Sequence, residues 1–297
     1  MYGQPSTKGG RRGGSLPLMA IFLALFSSLL WGSADFEGGR LAKRLPAIAV
    51  TGMSQAIGLI FGLAIVVTTG QWRAPAFGHD GYFFPGVIAG ITGYLGLVFL
   101  YAGLASGRMG VVSPISSLCA IVPVTVALLA GEHVPYLQGI GIAIALIGAF
   151  CASGPEISQG LPLRPVLFAV GAAAGFGTAL VFMAKGSVSS ALMTMVTMRV
   201  TTFVVSSSIA IKYRSVGGIG KPDLPRLIFI GIADFSANLL LGIASTRGLV
   251  SIVMVLGSLF PIMTAVLAFK ILHERLHRVQ YAGIVLAVVG VAIISGS

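Results

Sequence analysis

Charged side chains are scarce in this sequence. Asp, Glu, Lys and Arg together make up 9% of the 297 residues, whereas 56% of the residues are hydrophobic. A water-soluble domain carries about 25% charged residues because its surface faces water. The low charge content therefore excludes an ordinary soluble domain and favours a chain whose apolar segments face lipid.

Acidic residues, cysteines and nucleotide-binding motifs are also few or missing. The net charge is +11, but the basic residues lie mostly between apolar runs, where lipid headgroups and water hold them, so we expect no nucleic-acid partner. Cys119 and Cys151 lie inside apolar runs, which predicts small core side chains rather than a disulfide or a metal pair. No G-x-x-x-x-G-K-[ST] sequence occurs, so we do not expect ATP-driven pumping by this chain.

Long apolar runs are what the sequence has in abundance. A helix that crosses the hydrocarbon core of a bilayer needs about 20 mostly apolar residues and satisfies its own backbone hydrogen bonds. Such runs predict an all-α membrane protein with ten transmembrane helices, preceded by a disordered tail at residues 1–15. The ten runs are 17–37, 46–69, 82–104, 109–130, 136–153, 163–184, 189–212, 225–246, 249–271 and 278–295.

The second half of the sequence repeats the first half in degraded form. Pro123 precedes Pro261 by 138 residues, and after a four-residue length difference Glu132 corresponds to Glu274. Other equivalent pairs are Gly93 and Gly231, Gly110 and Gly248, Ser113 and Ser251, Ala127 and Ala265, Gly141 and Gly283, Ala145 and Ala287, and Gly148 and Gly290. A spacing kept over this length indicates an internal repeat. We place the first repeat at residues 16–153 and the second at 163–297.

Each repeat holds five predicted helices, which is an odd number. The second repeat therefore enters the membrane from the opposite side, and the sequence predicts two inverted five-helix repeats of the kind found in secondary transporters. Pro123 and Pro261 occupy equivalent positions inside apolar runs, where proline favours a kink. They are candidate hinges, and tolerated kinks are the alternative interpretation.

Several of these residues resemble a known family in their order and spacing. They are Leu30-Trp31-Gly32-Ser33, Pro123, Glu132, Arg199, Pro261, His273-Glu274-Arg275-Leu276, Gln280, Gly283 and Gly290. In this pattern the chain resembles the EamA-type branch of the drug/metabolite transporter superfamily. The resemblance implies a secondary carrier of small organic metabolites or drugs, working by alternating access and often outward. We expect it in the plasma (inner) membrane as a monomer or homodimer, without a cofactor, with protons as the candidate coupling ion.

The orientation of the termini stays open at this point. More Lys and Arg residues fall in the segments on the side opposite to the N-terminus, and by the positive-inside rule this favours both termini outside. The family resemblance implies both termini inside. Some of these basic residues belong to helix ends rather than loops, so the count does not decide between the two.

Polar residues near the middle of apolar runs are candidate substrate-binding residues. Arg199 is the eleventh residue of its run and Asp234 is the tenth of its own, and a charge at that depth normally faces the protein interior. Asn238 lies one turn after Asp234 on the same helical face. In one interpretation Arg199 binds an anionic solute group and Asp234 couples a proton. The alternatives are a structural ion pair and an arginine that snorkels to an interface.

The first and third apolar runs hold four further candidate substrate-binding residues. Trp31 and Asp35 lie one turn apart, where both can face the interior, although Asp35 also fits an interfacial charge cluster with Glu37. Tyr94 and Tyr101 are seven residues apart on one face of the third helix. These tyrosines either line a cavity or pack against neighbouring helices.

A formal H-E-x-x-H motif at His273, Glu274 and His277 provides the enzyme alternative. On a helix this spacing places two imidazoles on one face for zinc, with the glutamate as general base. The motif lies in a polar turn, however, and the equivalent loop of the first repeat lacks a second histidine. The sequence therefore favours a carrier that is not an enzyme, with a membrane-embedded zinc hydrolase as the alternative.

Overall fold

The computed structural model describes residues 15–78, 80–105, 109–153, 163–215, 217–271 and 277–296. Within these ranges the ordered elements are helices and no β-strand is present. The helices are α1 Ser15–Ala42, α2 Ala47–Thr69, α3 Phe83–Ala105, α4 Met109–Ser117, α5 Ile121–Leu129, α6 Tyr136–Ala152, α7 Leu163–Tyr213, α8 Leu224–Ser245, α9 Val250–Gly257, α10 Phe260–Ile271 and α11 Arg278–Gly296. Residues 1–14 of the predicted tail lie outside the described residues.

Most of these helices are long and apolar enough to cross a membrane. By length and composition eight helical segments qualify in the described part of the chain, with α4–α5 and α9–α10 each counted as one. Many large apolar side chains point outward from them, and Val67 and Val288, for example, are 80% and 62% exposed. Such surfaces suit lipid. The predicted all-α membrane class is confirmed. The count of ten spans stays a prediction, because α6 is shorter and because the range α7 joins two helices at a kink.

The range α7 comprises two helices that meet at a kink, in agreement with the two runs that the sequence predicts at 163–184 and 189–212. The kink lies at Ser190, which has non-helical torsions, with φ −163° and ψ 110°. The Ser190 hydroxyl then accepts a hydrogen bond from the Met193 nitrogen at 3.3 Å, as a helix N-cap does. One extended residue is therefore enough to divide α7 into two segments.

The fourth and ninth predicted helices are each broken in the middle. A 3₁₀ turn at Leu118–Ala120 separates α4 from α5, and Ser258 and Leu259 separate α9 from α10. Pro123 is the third residue of α5 and Pro261 the second of α10. Backbone nitrogens in a first helical turn have no partner within the helix, so proline is tolerated there. The two prolines thus follow the breaks instead of kinking continuous helices, which corrects the sequence interpretation.

Helices α6 and α11 show the relation between the two repeats. A Cβ atom added at Gly148 would lie 2.4 Å from the Ala287 nitrogen, and one added at Gly290 would lie 2.6 Å from the Ala145 nitrogen. Residue 145 of α6 therefore lies beside residue 290 of α11, and residue 148 lies beside residue 287. Because the numbers rise along one helix as they fall along the other, α6 and α11 pack antiparallel. Because the two helices hold equivalent places in the repeats, their antiparallel packing is what an inverted repeat requires.

Replacing Gly148 by Ala is expected to lower the free energy of unfolding by about 1–3 kcal/mol, because the added methyl group would force the two backbones apart. Gly139→Ala on the same helix is the matched control, since no atom lies within 4 Å of its Cβ position. The control should be neutral or slightly stabilising, as alanine favours helix. Thermal unfolding in detergent measures both effects, and equal melting temperatures for Gly148→Ala and wild type would contradict this packing.

Candidate functional site

The two repeats surround a cavity of about 60 Å³. It lies among α1, α2, α3, α7, α8 and α10, beside the turn that separates α4 from α5. The polar and charged residues of its lining are Trp31, Asp35, Gln55, Tyr94, Arg199, Thr202, Asp234 and Asn238. Because these residues come from both repeats, a solute in the cavity would contact both.

Asp234 of α8 is the centre of the polar network in this cavity. Its Oδ1 accepts hydrogen bonds from Trp31 Nε1 at 3.0 Å and from Asn238 Nδ2 at 3.2 Å. Its Oδ2 accepts hydrogen bonds from Gln55 Nε2 and Arg199 Nη2, each at 2.8 Å. A carboxylate has about four acceptor sites, so these four donors fill all of them. The network ties α1 and α2 of the first repeat to α7 and α8 of the second.

Arg199 is the only basic side chain in the described lining of the cavity. It is 3% exposed, and its guanidinium carbon lies 5.7 Å from the ring centroid of Phe235. Gly58 of α2 makes room for it, because a Cβ atom there would lie 3.2 Å from Arg199 Nε. That Nε is buried without a hydrogen-bond partner. Its burial excludes the snorkelling interpretation, and Asp234 supplies the partner that a buried charge needs.

Close packing of α1 places Trp31 in the network. Helix α1 runs antiparallel to α8, and Ser27 Oγ donates a hydrogen bond to the Ala237 carbonyl at 2.8 Å. On another side of α1, a Cβ atom at Gly32 would lie 2.3 Å from the Phe260 carbonyl oxygen. The Trp31 and Phe260 rings meet edge to face, with centroids 6.4 Å apart. The residues next to Trp31 therefore fix its indole toward Asp234.

Besides Arg199 Nε, two polar groups in the cavity have no partner among the described residues. Asp35 is 8% exposed, and no hydrogen bond or ion pair joins its carboxyl group to any of them. The Tyr94 hydroxyl is likewise buried without a hydrogen-bond partner. Buried polar groups are normally satisfied. These two groups can both accept a hydrogen bond and are therefore free to contact a donor in the cavity.

Most of the predicted site residues come together in this cavity. Trp31, Asp35, Tyr94, Arg199, Asp234 and Asn238 all belong to the lining. Tyr101 does not, since its hydroxyl lies within 2.4 Å of the position that a Cβ atom would take at Gly38, and it packs against α1. Pro123 and Pro261 are buried beside the helix breaks and also lie outside the lining.

Gln55 is the member of the network that sequence reasoning missed. It is 1% exposed and donates directly to Asp234. The available signal was a long amide side chain near the middle of an apolar run, where polar residues are costly. The aromatic residues Phe176 and Phe260 were also missed, because nothing in their sequence surroundings distinguishes cavity lining from ordinary packing.

The Arg199–Asp234 pair belongs to the second repeat and has no charged counterpart in the first. The spacing of 138 residues makes Gly96 the equivalent of Asp234. The similar sequences Trp31-Gly32-Ser33-Ala34 and Phe176-Gly177-Thr178-Ala179 make Phe176 the equivalent of Trp31. The two pairs make matching contacts, since a Cβ atom at Gly96 would lie 2.8 Å from the Phe176 ring. The repeats thus share their packing here but not their chemistry.

The H-E-x-x-H motif gains no support from the part of the chain that the structure describes. His273 and Glu274 lie outside the described residues. His277 is exposed just before α11, and its backbone nitrogen donates to Gln280 Oε1 at 2.8 Å. Among the described residues no group of three His, Cys, Asp or Glu side chains is placed to hold a metal ion.

Polar contacts join the two repeats at the face where α1 ends, which we call the α1 C-terminal face. Arg44 donates to Asp223, just before α8, and Asp223 also accepts a hydrogen bond from the Gly220 nitrogen at 3.0 Å. Arg226 Nε lies 3.5 Å from Glu37 Oε2. Both ion pairs cross from the first repeat to the second.

A different set of polar contacts joins the repeats at the opposite, α1 N-terminal face. Glu132, in the loop before α6, accepts hydrogen bonds from the backbone nitrogens of Val250 at 2.9 Å and Ser251 at 3.0 Å, and so caps α9. Arg73, in the loop before α3, donates to the Ser189 carbonyl at 3.0 Å. Each face is therefore closed by contacts between the repeats.

Comparisons with known proteins agree with this architecture. The sequence profile of the EamA-like transporter family matches the chain twice, over residues 18–154 and 163–296. One solved crystal structure has the same fold, with a TM-score of 0.69 and 18% sequence identity over 95% of this chain and 97% of that one. At this identity the likeness shows the fold alone. No curated protein sequence matches the chain.

Paired apolar helical repeats around a cavity with a buried polar network are typical of a multi-pass integral membrane protein of the transporter class. The family profile covers nearly all of both repeats, and the chain belongs to the EamA-like transporter family. This confirms the family resemblance seen in the sequence.

Proposed function

We propose that the chain is a secondary carrier that moves a small organic solute by alternating access, with the solute bound in the cavity around Asp234. The observation that carries the proposal is a cavity between the two repeats whose lining holds a buried hydrogen-bond network centred on Asp234. In carriers of this kind the site stays near the midplane while one repeat rocks against the other.

The contacts at the two faces suit such a motion. The Arg44 side chain is 53% exposed in its ion pair with Asp223, whereas the Asp223 side chain is 3% exposed. At the other face, Glu132 holds α9 by a cap, worth about 1 kcal/mol. Side-chain contacts of this kind can break and re-form without the unfolding of a helix.

The breaks in α4–α5 and α9–α10 are the proposed hinges. They occupy equivalent positions in the two repeats, and each is followed by a proline in the first turn of the next helix, Pro123 in α5 and Pro261 in α10. A hinge needs a few residues that absorb changes in backbone torsion, and interrupted helical hydrogen bonding supplies them. We propose export across the plasma membrane as the direction, and this part rests on the resemblance of the sequence to EamA-type carriers.

Counterflow in proteoliposomes tests the carrier function directly. Vesicles loaded with an unlabelled solute should accumulate the same labelled solute from outside, and the initial rate should saturate with concentration. The panel should contain small aromatic amines, amino acids, organic acids and sugars, and empty vesicles provide the background. Failure of every solute to show counterflow would contradict the proposal, and a flux that rises linearly without counterflow would indicate a channel.

A further inference from the structure

We infer that the cavity selects organic cations and that Asp35 is the residue that holds the positively charged group of the solute. This inference rests on the proposed carrier function and specifies its substrate class as aromatic or alkyl amines. The structural basis is the unpartnered carboxyl group of Asp35 in a cavity whose one basic side chain is already paired.

The charge balance of the cavity supports a cation. In the described lining, Asp35 and Asp234 are acidic and Arg199 is basic. Arg199 Nη2 and Asp234 Oδ2 are 2.8 Å apart, so these two charges offset each other. One carboxyl group, that of Asp35, remains without a counter-charge. An isolated buried carboxylate is unfavourable, and either a proton or a bound cation neutralises it.

The two carboxyl groups are not interchangeable binding sites. Asp234 accepts four hydrogen bonds, from Trp31, Gln55, Arg199 and Asn238, and has no acceptor site left for a solute. Asp35 has all of its acceptor sites free. A solute ammonium group therefore finds its strongest available partner on α1 and not on α8.

The rest of the lining suits the organic part of an amine. Trp31, Tyr94, Phe176 and Phe260 bring aromatic rings to the cavity. Aromatic faces attract organic cations, and the effect grows when water is excluded. The unpartnered Tyr94 hydroxyl supplies a second acceptor for an ammonium N–H. The described lining contains no lysine, and its one arginine, Arg199, is paired with Asp234. No protein cation therefore competes with the solute for Asp35.

Three ligands of similar shape and different charge test the inference: 2-phenylethylamine, 2-phenylethanol and 3-phenylpropionate. At about pH 7 they are cationic, neutral and anionic, respectively. The protein has two tryptophans, Trp31 in the cavity and Trp72, which is 64% exposed in the α2–α3 loop. In the full-length Trp72→Phe protein in detergent, the fluorescence of Trp31 alone therefore reports binding.

We expect 2-phenylethylamine to bind at least about tenfold more tightly than the alcohol or the acid, because it alone gains a charge-assisted hydrogen bond. Asp35→Asn, which keeps the size of the side chain, should remove this preference, and Asp35→Glu should keep part of it. Asp80→Asn changes an exposed acidic residue outside the cavity and is the matched control, which should bind like the parent protein.

Each other result overturns the inference. Three results in the Trp72→Phe protein would show that the cavity does not select cations: equal binding of the amine and the alcohol, preference for the acid, or no fluorescence change with any ligand. This comparison does not depend on whether an Asp35 variant folds. A preference for the amine that survives in Asp35→Asn would assign it to another residue. The carrier function is judged separately: counterflow of neutral or anionic solutes alone would refute only this inference, whereas amine binding without counterflow of any solute would refute only the carrier function.

Discussion

Transport is expected to be lost when either member of the buried ion pair is neutralised, in Asp234→Asn or Arg199→Gln. The remaining charge would be buried without its partner, which costs about 3–5 kcal/mol, and the network that joins α1, α2, α7 and α8 would lose its centre. Both single variants should therefore show initial counterflow rates at the level of empty vesicles and clearly lower melting temperatures.

The double variant separates the two effects. In the double variant, Asp234→Asn with Arg199→Gln, no unpaired charge remains. Its melting temperature should therefore exceed that of either single variant, while its transport activity should still be absent. Arg40→Gln is the matched control, because Arg40 pairs with Glu37 at a partly exposed site where an ion pair contributes about 0–1 kcal/mol. Transport at the wild-type rate in both single variants would reduce the pair to a packing role.

The sequence was sufficient to find this pair because charge is so rare in it. Arg199 and Asp234 each stand near the middle of an apolar run, and the high cost of charge at that depth predicts an interior position and a partner. Their mutual pairing and the four-donor environment of Asp234 depend on how four helices pack. No local pattern carries that information, which is why Gln55 and Phe260 were missed and why the sequence left open whether Tyr101 lines the cavity or packs against a neighbouring helix.

For the fold, too, the sequence predicted the main elements but not all of their details. Length and apolarity identify membrane helices reliably, because the bilayer fixes both requirements. The interruption between α4 and α5 was harder to predict, since Leu118–Ala120 contains neither glycine nor proline. Helix breaks of this kind are set by tertiary packing, and the neighbouring Pro123 marks the break only indirectly, from a position that tolerates proline.

Covalent links between the repeats at either face are expected to stop transport completely. The pair Arg44→Cys with Asp223→Cys would lock the α1 C-terminal face, and Glu132→Cys with Val250→Cys would lock the α1 N-terminal face. If each face must open once per cycle, a short bifunctional thiol reagent should abolish counterflow in either pair, and a cleavable version should allow recovery on reduction. Cys119 and Cys151, the two native cysteines, are first replaced by alanine.

A link within one repeat is the matched control for this experiment. Ser208→Cys with Lys212→Cys places both thiols one turn apart on the exposed end of α7, so the same reagent should react there without effect on counterflow. Each single-cysteine variant should also remain active after treatment. Full activity with either face linked would mean that this face does not open, which alternating access does not permit.

The unequal chemistry of the two repeats has a thermodynamic consequence. If the sequences of the repeats were identical, exchange of their conformations would convert the inward-facing state into the outward-facing one, and symmetry would give both states the same free energy. Glycine at position 96 and aspartate at position 234 remove that equality. Under the proposed alternating access, we therefore expect the empty protein to favour one of the two states, and a ligand added from that side to meet the more populated form. Such a built-in preference is set by the chain itself and exists before any gradient is applied.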